Sequence, residues 1–156
     1  MTWVPWLLYA HILGAIMAFG PTFAFPFFGA AAGREPQHGN FMARASYVVA
    51  TRLVVPLAIL QGVTGVGLIL AESLDLFNTR WLLVGILLYA IALYIAIVIN
   101  LPNARRVIEL SSTPPPPGSG PPPELPQRAA AGRRNGIILA VLIVLIVGLM
   151  VLKPSF

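Results

Sequence analysis

The apolar positions of the chain fall into four charge-free windows, residues 1–33, 53–71, 81–104 and 135–152, and every Asp, Glu, Lys and Arg lies outside them. Each window reaches or exceeds the ~18 residues needed to cross a bilayer's hydrocarbon. Within lipid a segment must satisfy its own backbone hydrogen bonds. Long unbroken apolar runs do not suit a closed β-barrel, so helices are what remains. The pattern predicts an all-α fold, a four-transmembrane-helix bundle in a single domain, with spans over about residues 3–28, 50–71, 81–102 and 135–152. A proline-rich tract over about residues 111–127, which includes Ser-Thr-Pro-Pro-Pro-Pro-Gly, predicts an extended, solvated linker with polyproline II character. In the first window Pro21 and Pro26 are expected to kink or end the helix, and Asn100 and Asn103 to cap or terminate the third. Span four is aliphatic all round, which predicts the most lipid-exposed helix of the set or a docking surface for another membrane subunit.

Composition sharpens this picture. The 156 residues are 58% hydrophobic and 10% charged, and the mean hydropathy is +0.85, whereas soluble domains are about 25% charged. The net charge of +5 would suit a nucleic-acid partner only if the basic residues shared a soluble face with aromatics. Here they lie between apolar spans, so the partner they predict is the lipid bilayer, not nucleic acid. The sequence contains no cysteine and two histidines, His11 and His38, which excludes disulfides and thiolate metal sites. The first residues carry no positive charge and lead into a run longer than a signal-peptide core of roughly 7–15 residues, so a retained span is expected.

The basic residues also predict direction. Arg34, Arg44 and Arg52 flank the first connection, and Arg105, Arg106, Arg128, Arg133 and Arg134 flank the third; Arg80 and Lys153 stand on the other side. The positive-inside rule then places the first and third connections in the cytoplasm and both termini outside, in a multi-pass protein of the inner (plasma) membrane. Trp3, Trp6 and Trp81 lie near span ends, where indole rings favour the headgroups. Arg52 reads as an anchor whose stem carries its charge to the headgroups.

Polar side chains inside spans are the candidates for function. At about 1.5 Å per residue, His11 lies roughly 12 Å below the outer surface, and Gln61, Thr64 and Tyr89 lie at similar depths in the second and third spans, forming one polar layer. Three readings of His11 stand side by side: an interhelical hydrogen bond within that layer, an axial haem ligand, and a group that handles protons or substrate. His38 lies in the first connection, beyond reach of a haem centred on His11, so the haem reading requires five-coordinate iron, Met150 of span four as second ligand, or a His11 donated by a second protomer. Small residues accompany the histidine at helical spacing, Gly14, Ala15 and Ala18 on span one and Ala58, Gly62 and Gly65 on span two. They predict close packing of that pair. The five acids lie in connections, and neither a Ser-His-Asp set nor a phosphate-binding glycine loop is present. The leading expectation is a non-enzymatic structural or accessory subunit, in a homo-oligomer or a larger membrane complex. The alternatives are a haem-binding or redox protein using His11, and a small-molecule transporter.

Several of these residues have a family likeness. Leu7-Leu-Tyr-Ala-His-Ile-Leu-Gly, then Gln61-Gly-Val-Thr-Gly, then Arg80-Trp-Leu-Leu-Val opening a span that ends Ile99-Asn-Leu-Pro-Asn-Ala-Arg-Arg, resemble the bacterial integral membrane family called domain of unknown function 2269. That family is similar in span layout to the copper-resistance D-type membrane proteins and, more distantly, to the membrane-bound protoporphyrinogen oxidase. The resemblance implies a match between His11 and a first-helix histidine of the oxidase. The oxidase's conserved lysine has no counterpart in these spans, since the chain's one lysine is Lys153.

Overall fold

The computed structural model describes residues 3–76, 78–113, 118 and 120–155. All regular structure among them is helical. Helix α1 (Val4–Phe19) passes through a 3-10 turn (Gly20–Phe23) into α2 (Phe25–Arg34). A second 3-10 turn (Pro36–His38) leads to α3 (Gly39–Val49), which continues through a π-helical segment (Ala50–Val54) into α4 (Val55–Ala71). Helix α5 (Arg80–Tyr94) likewise passes through a π segment (Ile95–Asn100) into α6 (Leu101–Ser112). The last helix is α7 (Glu124–Leu152). These make four spans, three composite and the fourth α7 alone, each long and apolar enough to cross a membrane.

Prolines explain where the helices change character. Pro56 and Pro102 each stand just beyond a π segment. A proline cannot donate to the carbonyl four residues back, and its ring crowds that carbonyl. In both cases the crowded carbonyl, of Arg52 or Val98, belongs to the π segment, whose wider turn relieves the clash and lets the helix run on. Pro21 lies in the 3-10 turn and Pro26 in the first turn of α2, so the first helix is interrupted there and then resumes.

Three expectations need correction. Asn100 and Asn103 do not end span three: the helix continues to Ser112, and the Asn103 side chain donates to the backbone carbonyl of Arg128 on α7 at 3.0 Å. Part of the expected linker is helical, because α7 begins at Glu124. Pro126 stands in its first turn, where backbone N–H groups lack intrahelical partners in any case. The run Pro114–Pro117 and Ser119, where polyproline II character was expected, lies outside the described residues. Span four, finally, is not the most lipid-exposed. Leu139, Ile143 and Ile146 form a buried stripe below Asn135 and Gly136. An aliphatic surface is equally suited to lipid and to a bundle interior, so the lack of a polar stripe does not point a helix outward.

Helix α1 packs chiefly on α4, and α5 on α7. At the arginine-rich end the four spans close into a ring, with α2 against α3, α3 against α6, α6 against α7, and α7 against α2. Broad apolar faces remain exposed, among them Trp6, Phe27, Leu70 and Leu152. That is the surface expected of a protein whose solvent is lipid.

Candidate functional site

The polar layer sits on the α1–α4 seam. His11 Nδ1 and Thr64 Oγ1 are 2.8 Å apart, and the same hydroxyl lies 3.1 Å from the carbonyls of Leu60 and Gln61. A threonine hydroxyl has one proton. With that proton on a carbonyl of its own helix, the imidazole donates Nδ1–H to Oγ1 and keeps a lone pair on Nε2. Tyr89 reaches across from α5 and donates its hydroxyl proton to the carbonyl of Ala58 at 2.6 Å.

The small residues leave the space these side chains occupy. A Cβ on Gly62 would stand 2.6 Å from the Tyr89 hydroxyl, one on Gly14 2.9 Å from Gln61 Oε1, and one on Gly65 3.3 Å from His11 Cε1. Ala18 and Ala58 are buried and Ala15 half-buried. Gln61 is buried, and its Oε1 has no hydrogen-bond partner among the described residues; nor has Oδ1 of Asn100. Met150 is engaged elsewhere, since its terminal methyl would lie 2.8 Å from a Cβ on Gly85 of α5. Among the described residues no group of three His, Cys, Asp or Glu is placed to hold a metal ion.

The second feature was not expected from the sequence. Inside the ring at the arginine-rich end lies a cavity of about 670 Å³, with walls from all four spans. Its sides are mostly apolar, including Phe25, Ala92, Ala96 and Ile143. Tyr89 lines it toward the middle of the bundle, and Arg128 and Arg133 line its other end. His11 is not among its lining residues. The two features therefore meet only at Ala58 and Tyr89, which belong to both.

Polar contacts tie the walls together outside the apolar windows. Asn40 on α3 donates to the carbonyl of Ile108 at 3.0 Å and to Ser111 Oγ at 2.9 Å. Glu124 accepts from Arg106 at 2.9 Å and from Arg128 at 3.1 Å, joining α6 to α7. The Arg106 hydrogen bond, supported by that of Arg128, holds the Glu124 carboxyl below its ordinary pKa. Asn40 carried no signal of this role in the sequence. Pro56 and Pro102, each inside an apolar run, were the available sign of the altered turns beside the cavity.

Over residues 5–154 the chain matches the family described as "predicted integral membrane protein (DUF2269)". No curated protein and no solved structure matches it. The chain belongs to that family.

Proposed function

We propose that this member of the family is a non-enzymatic accessory protein of the inner membrane, and that it binds a small, largely apolar molecule between its helices. The observation that carries this reading is the cavity of about 670 Å³. Its size is in the range of ligand sites, roughly 300–1,000 Å³, and its composition follows their pattern of apolar walls with a few polar groups. The positive-inside rule supports an orientation with the arginine-rich end in the cytoplasm and both termini outside. The test is native mass spectrometry of the detergent-purified protein. The reading expects a co-purifying molecule that Ala96→Trp, which fills the cavity, displaces; the same bound mass in both proteins would contradict it.

A second reading, haem ligation by His11, is supported by one observation: the Thr64 contact can leave the imidazole Nε2 lone pair free. An absorption spectrum, oxidised and dithionite-reduced, tests it. A Soret band that disappears in His11→Ala would establish ligation. A colourless protein after expression with ample haem would leave His11 as a packing residue. Transport of the bound molecule would appear as a flux in proteoliposomes that Ala96→Trp abolishes.

A further inference from the structure

We infer that the cavity's ligand is an anionic amphiphile, a long alkyl chain bearing a carboxylate or phosphate, with its charge at Arg133 and its chain running toward Ile143 and Ile146. This rests on the reading of the cavity as a binding site. The first support is shape. The cavity's wall on α7 runs from Leu125 to Ile146, and within it Arg133 and Ile146 are 13 positions apart, about 20 Å at a helical rise of 1.5 Å per residue. One leaflet's hydrocarbon is about 15 Å deep, half of a ~30 Å core. The stretch between Arg133 and Ile146 thus has room for a lipid chain along a mostly apolar wall.

The second support is charge complementarity. Eight arginines, at positions 34, 44, 52, 105, 106, 128, 133 and 134, gather at this end against three acids, Glu35, Glu109 and Glu124. Glu109 and Glu124 are already paired with Arg106, and Glu124 with Arg128 as well. Arg133 has no ion-pair partner among the described residues and borders the cavity. The cavity's wall therefore holds a guanidinium with no ion-pair partner among the described residues, a planar donor whose geometry fits carboxylate or phosphate in two parallel hydrogen bonds. A cationic amphiphile would meet net repulsion there, and a neutral one would gain nothing from the exposed guanidinium, which stays hydrated.

The experiment uses the full chain in a neutral maltoside detergent, with native mass spectrometry reading the bound fraction. Two matched probe pairs are offered: palmitate against hexadecanol, and phosphatidylglycerol against phosphatidylcholine. The anionic member of one pair should bind about tenfold better, the equivalent of one charge-assisted hydrogen bond. The pair that discriminates identifies a free acid or a phospholipid as the source of the charge. Arg133→Gln should remove the preference and leave neutral binding unchanged, whereas Ala96→Trp should abolish both. Arg133 is exposed, so Arg133→Gln is expected to fold, and an unchanged thermal midpoint without ligand verifies this. Equal binding of anionic and neutral probes, unaffected by Arg133→Gln, would overturn the inference and leave the cavity reading standing. No binding of any probe, with Ala96→Trp indistinguishable from wild type, would overturn both.

Discussion

Between α1 and α4 there is no room for a methyl group at Gly14 or Gly65 without moving a polar side chain, and Gly62 is as tightly covered by Tyr89 of α5. Between the continuations of the same two helices, α2 and α3, and their neighbours α6 and α7, the walls stand apart around about 670 Å³. The difference is legible in side chains. The seam has glycines and alanines where backbones approach, and polar groups that bond across the gap. The ring has prolines and π segments that redirect its helices, and asparagine and arginine contacts that hold the walls at their outer edge. In lipid no hydrophobic force closes an apolar gap, because a lipid chain fills it as well as a side chain does. A void that would be a defect in a water-soluble core is here a place for a chain.

This contrast can be broken by adding the same small bulk in each region. On α4 beside the seam, Gly62→Ala drives a Cβ against the Tyr89 hydroxyl of α5 and should destabilise by about 1–3 kcal/mol, the usual range for overpacking, seen as a lower thermal midpoint in detergent. In the cavity, Ala92→Leu adds more atoms yet should raise the midpoint, by the equivalent of about 1 kcal/mol, as cavity-filling changes do. If the two changes lowered the midpoint alike, the two regions would not differ in packing.

Smaller effects sharpen the polar side of the comparison. Thr64→Val removes the partner of His11 and should cost about 1 kcal/mol or less. In a double-mutant cycle with His11→Ala the second change should add nothing, which locates the energy in that pair. Gln61→Met should be close to neutral, since the Oε1 it removes makes no bond; a loss as large as that of Thr64→Val would show that Gln61 has a partner in the membrane.

The weakest effect belongs to the surface pair. Because the Glu124 carboxyl titrates below its ordinary value, its stabilising contribution is fully present above the unfolded carboxyl's pKa and is lost as pH falls through the lowered one. Glu124→Gln should flatten that part of the acid limb of a stability curve, by an amount that added salt reduces. An acid limb identical in wild type and variant would remove the linkage.

The four spans were legible because charge is so unfavourable in hydrocarbon that its absence alone marks them. The small residues of spans one and two signal a close approach because helices in lipid approach only over small side chains, but not which neighbour each meets: Gly62, expected to face span one, meets Tyr89 of α5. Span four was not, because leucine and isoleucine look the same whether they face lipid or Tyr89's side of the bundle. Pro56 and Pro102 signal a disturbed helix but not whether it stops or runs on. Asn103 likewise gives no sign that its amide reaches Arg128, a partner 25 positions away. The cavity depends on how far four helix ends splay, and no local pattern records that distance.

The central claim, a site open to small molecules at one end of the bundle and a closed seam along α1 and α4, is tested most directly with single cysteines in this naturally cysteine-free chain. Ala104→Cys lines the cavity near Arg128, and Ala18→Cys lies fully buried beside the seam. A small methanethiosulfonate reagent should label the first quickly and the second hardly at all, and palmitate or phosphatidylglycerol should protect the first. Equal labelling of the two, or labelling of Ala104→Cys that neither amphiphile slows, would contradict the account.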